Sequence, residues 1–207
     1  MDGLPEDLDR LLHDLRGPLN AMQMHVELLK RLDVAEPAAL SSLETIAQEV
    51  MRLGAMLPAA FRVVALERRD DAVHDLRALA GAALEEHDVR GVVLGDGAWP
   101  RVRGDGRLLR LAVGHLARNA VAAGGERPAE IRAWGTGRDV VLAVRDWGGG
   151  LRTTNPRALI RLALRPGGPP RVGLVIVERV ARLHGGRLEF LTPAGGGTEV
   201  RMVLPTG

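Results

Sequence analysis

Seven apolar side chains, Leu8, Leu12, Leu15, Leu19, Met22, Val26 and Leu29, follow one another at alternating steps of four and three. That spacing returns each of them to one stripe of an α-helix and argues against a strand, whose side chains repeat with a period of two. The stripe is narrow, like the seam two helices share in a coiled coil. A second stripe, Leu43, Ile46, Val50, Leu53, Leu57, Ala60 and Val64, repeats the spacing. Helices are therefore expected over about residues 4–32 and 37–66, joined by the polar stretch 33–36 into a hairpin. Two amphipathic helices bury too little surface alone, so two hairpins are expected to pair as a dimeric four-helix bundle. Pro18 and Pro58 fall inside the two patterns. Each removes a backbone donor and is expected to bend its helix.

The charged run Glu67, Arg68, Arg69, Asp70 and Asp71 ends this pattern and places the expected domain boundary, 1–68 before it and 69–207 after. Beyond it helices are expected at 74–87, 105–123 and 172–184. Strands are expected at 90–94, 101–103, 130–136, 139–145, 187–192 and 198–204, with a Gly-, Pro- and Arg-rich loop over 147–171. Such irregular alternation predicts an α/β sandwich with helices on one face, and an α+β chain as a whole. With 207 residues, 46% of them hydrophobic, there is enough apolar surface for a core. The chain has no Cys, which rules out disulfides and thiolate metal sites and fits a reducing compartment. The N-terminus MDGLPEDLDR lacks the apolar stretch of a signal peptide, and no segment approaches the roughly 18 apolar residues of a membrane span. A cytoplasmic chain without a membrane partner is expected. Its 28 basic and 26 acidic residues leave a net charge of +2, which gives no reason to expect a nucleic-acid partner.

His13 opens the run HDLRGPLNAM beside the first seam, and HLARNAVAA, RDWGGGL and LHGG…GGGTEV follow it in that order. Together these segments resemble the catalytic core of bacterial sensor histidine kinases, with the dimerising phosphoacceptor hairpin first and a Bergerat-type ATP-binding domain second. The resemblance covers nearly the whole chain. HDLRGPL resembles the phosphoacceptor box, which implies that His13 attacks the terminal phosphate of ATP. It also implies that Asp14 serves as acid/base partner at the other ring nitrogen. An imidazole suits the first role because it is largely neutral near pH 7. HLARNAVAA resembles the family's Asn-containing helix, implying that the Asn119 amide oxygen ligates the Mg²⁺ that bridges the phosphates. RDWGGGL follows the apolar strand VVLAV and resembles the DxGxG motif. In that motif Asp146 would accept a hydrogen bond from the adenine amino group, while Gly148 and Gly150 let the backbone approach the ring. GGGT, ending at Thr198, resembles the family's final Gly-Thr element, and Gly173 and Leu174 are what remain of the GxGLGL lid end.

Several positions depart from the family. Gly17 stands where Thr or Asn is common and offers no side chain to hold a water against a phosphorylated regulator, which implies weak phosphatase activity. His115 occupies a place that is often Asn. Ala122 occupies one where many relatives carry a basic residue that meets phosphate. At the lid end the chain reads Pro169, Pro170, Arg171, Val172, and prolines have no N–H to direct at phosphates from a helix start. Two lost charge-assisted bonds, each on the order of 1.5 to 3 kcal/mol, would lower affinity by about 10²-fold to 10⁴-fold. Arg165, Gly167, Gly168 and Arg171 are candidates to compensate.

The resemblance implies an ATP-dependent kinase core that autophosphorylates His13 and passes the phosphoryl group to an Asp of a response regulator receiver domain docked near Arg16 and Asn20. It implies a homodimer through the hairpin and an input from a separate sensor protein. Two other readings stay open. One is a histidine phosphotransferase or pseudokinase relay module with a degenerate ATP-binding domain, and the other is a dimeric adaptor that uses neither His13 nor ATP.

Overall fold

The computed structural model describes residues 6–31, 37–151, 153, 155–160, 163–164 and 170–206, with only the backbone described at 6–14, 156–157, 163–164 and 170–171. The chain forms two compact units, Met1–Ala65 with Arg161–Val172, and Leu66–Ile160 with Gly173–Gly207.

The first unit is a helical hairpin of α1 (Glu6–Leu29) and α2 (Pro37–Val64), and both helices run through their internal prolines, Pro18 and Pro58, without a break. The expected seam of α2 is only partly the inward face. Ala39, Ser42, Met56, Ala59, Ala60 and Val63 are buried, while Leu43, Val50, Leu57 and Val64 stay exposed. Small side chains occupy most of the inner positions, so bulky apolar groups are displaced around the helix to the outside. The result is an exposed line, Leu40, Leu43, Ala47, Val50, Gly54, Leu57, Phe61 and Val64, that steps by three and four throughout. Val50 is 54% exposed and Phe61 69%. The short strands β6 (Ala163–Leu164) and β7 (Pro170–Arg171) form an antiparallel ribbon against α2. The stretch 147–171, expected to be loop throughout, therefore contains this ribbon and a 3₁₀ turn at Pro156–Leu159.

The second unit holds β1 (Ala72–Asp75), α3 (Leu76–Glu86), β2 (Val92–Leu94), β3 (Arg101–Gly104), α4 (Gly106–Ala123), β4 (Ala129–Gly135), β5 (Asp139–Arg145), α5 (Gly173–Leu183), β8 (Arg187–Leu191) and β9 (Glu199–Pro205). Five strands build one mixed sheet in the order β2-β4-β5-β9-β8, in which only the β2–β4 pair is parallel. The helices pack side by side on this sheet. Leu109, Ala112, Val113 and Leu116 of α4 and Val177 and Val180 of α5 form the core with Ile131, Leu142 and Met202. A separate pair, β1 with β3, was not foreseen: Ala72 pairs with Gly104 and Asp75 with Arg101, so His74 belongs to a strand rather than to the expected helix 74–87. The Asp75 carboxylate accepts the Ala78 N–H at 2.9 Å and starts α3 at Leu76.

Asp105 sets the start of α4. Its carboxylate accepts from the N–H groups of Arg107, Leu108 and Arg69 at 3.0, 3.2 and 3.0 Å. Burial works to raise its pKa, but these N–H groups and the Arg107 guanidinium outweigh that and hold it below the usual carboxylate range. The Asp105 N–H in turn donates to His184 Nε2 at 3.0 Å, while His184 Nδ1 lies 2.8 Å from the Val180 carbonyl. An amide N–H can only donate, so Nε2 accepts and Nδ1 carries the proton. On the sheet, buried Glu199 binds Arg132 at 3.0 Å and Arg201 at 2.6 Å. Among the described residues no helix is long and apolar enough to cross a membrane.

Burial, aided by Arg68, holds His184 below the ordinary histidine pKa of 6.5, against the opposing pull of the Val180 carbonyl and Asp105. The unfolded chain therefore takes up the proton first as pH falls, and the stability contributed by neutral His184 is present above about 6.5 and lost below it. Thermal melts are expected to show stability falling on acidification below that pH. His184→Gln is expected to remove part of the slope, because His87 and His115 shift in the same direction.

Candidate functional site

At the end of β5 the backbone leaves the sheet with Asp146, whose N–H still donates to the Thr198 carbonyl at 2.9 Å. Its side chain then folds back. Oδ1 accepts the N–H groups of Gly148 at 2.9 Å and Thr198 at 3.1 Å. Asp146 is only 8% exposed, yet among the described residues Oδ2 takes no protein hydrogen bond and is not among the sealed, unpartnered atoms. One oxygen is therefore fixed and the other is an open acceptor in a nearly dry setting, where a hydrogen bond is worth more than in water.

Glycine is demanded here by the protein's own backbone. A Cβ on Gly148 would stand 2.5 Å from the Ala123 carbonyl oxygen at the end of α4, so the residue permits loop-to-helix packing, a reason different from the ring approach expected from sequence. Gly150 adopts a φ of +72°, with the Gly197 carbonyl as its nearest neighbour. Gly197, which sequence reading passed over, has a φ of +77°, and a Cβ there would run into the Asp146 carbonyl. The only hint was its place in the GGG run before Thr198. Thr198 itself acts through main-chain N–H and C=O groups.

A second cluster forms one turn earlier on α4. The Asn119 amide and His115 Nδ1 are the groups nearest to Gly173, at 3.3 to 3.5 Å from where its Cβ would be. Gly173 is the first residue of α5, with half-buried Leu174 next. The free N–H groups of the first turn of α5 thus belong to Gly173 and its successors. Pro170 sits in β7, ahead of the helix, and so is not among the first-turn residues of α5. Pro169, Arg165, Gly167 and Gly168 lie outside the described residues, as does the side chain of Arg171. His115 is held neutral, its pKa lowered to about 4 by burial, then by Arg118 and His87.

The two clusters share the C-terminal half of α4, since Ala123 is one turn beyond Asn119. Trp147 flanks the first of them, with the Arg145 guanidinium 3.8 Å from its ring centroid and its indole N–H donating to the Pro128 carbonyl at 3.1 Å. His13 and Asp14 are backbone members of α1 in the other unit, and their side chains lie outside the described residues.

The family described as histidine kinase-, DNA gyrase B- and HSP90-like ATPase matches residues 104–207, the stretch that carries both clusters. The methanogenesis regulatory histidine kinase FilI of Methanothrix harundinacea is 28% identical over 211 residues, covering 94% of this chain and 24% of FilI. The sensor-type histidine kinase PrrB of Mycobacterium leprae is 30% identical, covering 89% of this chain and 44% of PrrB. The chain thus spans less than half the length of these curated relatives. In structure it is similar to the Acinetobacter baumannii histidine kinase AdeS, with a TM-score of 0.59 at 18% identity over 94% of this chain and 98% of that one, a likeness of fold.

Gly196 and Gly197 both have positive φ, but nothing lies within 4 Å of a Cβ on Gly196. Gly196→Ala is expected to cost about 1 kcal/mol, for backbone conformation alone. Gly197→Ala is expected to cost a further 1 to 3 kcal/mol or so, from the added clash. Denaturant unfolding of the two variants checks the difference.

Proposed function

Because the chain belongs to the histidine kinase-, DNA gyrase B- and HSP90-like ATPase family, we propose that it is the core of a two-component signalling kinase that phosphorylates its own His13 from ATP and passes the phosphoryl group to an Asp of a response regulator. The observation that carries this reading is the Asp146 carboxylate, with Oδ1 pinned by two N–H groups and Oδ2 open. An exocyclic amine such as that of adenine is the complementary donor. Asn119 offers an amide oxygen to the Mg²⁺ of the nucleotide, and the N-terminus of α5 offers N–H groups and a positive dipole to its phosphates. These residues fit the group. The Mg²⁺ would screen phosphate charge as the bond to ADP breaks.

In the transfer, a lone pair of the His13 imidazole forms a P–N bond to the terminal phosphorus while the P–O bond to ADP breaks, and ADP departs with the electron pair. Asp14 takes up the proton at the other ring nitrogen or balances its charge. In the second step a receiver-domain carboxylate oxygen attacks phosphorus, the P–N bond breaks and His13 is restored. Residues 1–68 are proposed as the dimerising phosphoacceptor hairpin and 69–207 as the ATP-binding domain. The exposed line on α2 from Leu40 to Val64 supports a dimer through the hairpin, because isolated helices do not keep so continuous an apolar edge in water.

Incubation with γ-labelled ATP and Mg²⁺ is expected to give acid-labile label that disappears in His13→Gln. Asp146→Asn is expected to weaken nucleotide binding by about 10-fold or more, the loss of one charged acceptor. Label arriving only from a phosphorylated regulator would select the relay module instead, and no label from either source the adaptor.

Val50→Glu places a charge in the middle of the exposed line. Sedimentation is expected to show a dimer for the wild type and a monomer for this variant, and a monomeric wild type would exclude the bundle.

A further inference from the structure

Arg118 lies one residue before Asn119 on α4, and its guanidinium spans two imidazoles. One terminal nitrogen donates to His87 Nδ1 at 3.1 Å and the other to His115 Nδ1 at 3.2 Å. A guanidinium has five N–H donors and accepts nothing, so both rings must receive through Nδ1. Both partners are neutral acceptors, and burial together with Arg118 lowers the pKa of each ring. Among the described residues no carboxylate pairs with Arg118, although Glu86, at the nearby end of α3, is taken by Arg110 at 2.9 Å. The side chain is therefore held in place on the exposed edge of α4 with its full charge and three N–H groups unspent.

Its position gives that charge a target. The His115 nitrogen that receives Arg118 is the same atom that faces Gly173, and the Asn119 amide faces Gly173 beside it. The guanidinium thus stands one hydrogen bond away from the group at the start of α5, whose free N–H groups already favour an anion. Ala122, exposed and one helical turn after Arg118, brings no charge to this edge.

We propose that Arg118, clamped by His87 and His115, is a binding residue for the phosphate groups of the nucleotide, supplying from within α4 the cation that Ala122 does not. This rests on the nucleotide-binding reading above. A clamp of two neutral acceptors orients the guanidinium without neutralising it, whereas a carboxylate partner would compete with the phosphates. His115 and His87 are then positioning residues.

The test compares the full chain with Arg118→Met and Arg118→Lys by calorimetric titration with the β,γ-imido analogue of ATP plus Mg²⁺, and separately with adenosine. Arg118→Met is expected to weaken the triphosphate analogue about 10-fold to 100-fold, the loss of one charge-assisted bond, and to leave adenosine unchanged. Arg118→Lys is expected to recover part of that loss. In the Arg118→Met background, Ala122→Lys is expected to recover triphosphate affinity from one turn away, which a purely structural role for Arg118 would not allow. Equal weakening of analogue and adenosine would overturn the inference as a folding effect. Unchanged triphosphate affinity in Arg118→Met would overturn it while leaving the functional reading intact. A wild type that binds neither ligand would overturn both.

Discussion

The pinning of Asp146 Oδ1 by the N–H groups of Gly148 and Thr198 is the constraint on which the candidate site turns. It joins two segments 52 residues apart, and it extends the β5–β9 ladder by one step, since the Asp146 N–H also reaches the Thr198 carbonyl. The sheet register therefore dictates where the carboxylate stands: Arg145 opposite Glu199 brings Asp146 opposite Thr198. A slip by one residue would turn the side chain to the other face. The glycines follow from this pinning. Gly197 must let the chain pass against the Asp146 carbonyl, and Gly148 must let the turn close on the end of α4.

Helix α4 connects this cluster to the second one, and its two ends are secured by different chemistry. At the N-terminus Asp105 gathers backbone N–H groups and hands its own to His184, which ties α4 to the end of α5. Toward the C-terminus the inward residues Leu116, Ala117 and Ala120 are buried while His115, Arg118 and Asn119 emerge along one edge. Helix α5 is tied to α4 through His184 at one end and begins beside His115 and Asn119 at the other, where His115 is itself held by Arg118. The proposed phosphate site, made of short-range N–H donors and a single cation, would depend on such placement, since a misplacement of about 1 Å is expensive wherever binding depends on oriented dipoles.

Elements with a strong local pattern were legible from sequence, and those made by distant pairing were not. The strand at residues 139–145 and the helix from Asp105 announce themselves, the first by VVLAV and the second by a capping Asp before apolar positions at helical spacing. β1 has only four residues and exists because β3 lies beside it, so nothing in AVHD distinguishes it from a helix start. In the candidate site the motif positions Asp146, Gly148, Gly150, Asn119 and Gly173 could be picked out. The grouping of Gly197 with Asp146 and of Arg118 with His87 depends on contacts between residues far apart in the chain. The helix expected from residue 172 begins at Gly173, and Pro170 belongs to the short strand before it, a pairing that nothing in the local sequence announces.

The phase of the α2 stripe follows from size as much as from hydrophobicity. A seven-residue period marks a face but does not say whether it turns toward the neighbouring helix of the hairpin or away from it. Helices approach neighbouring elements most closely where side chains are small, and the buried positions of α2 are Ala39, Ser42, Ala59 and Ala60, with Met56 and Val63 as the bulkier ones. Leucines and the phenylalanine at 61 are then left on the outside, where each buried methylene would return about 0.8 kcal/mol on contact with an apolar partner. The hairpin is thus built with its strongest adhesive face unspent. In the proposed dimer a second copy would present the same face in the same spacing, and a two-fold axis would satisfy both at once without any new complementarity having to be encoded.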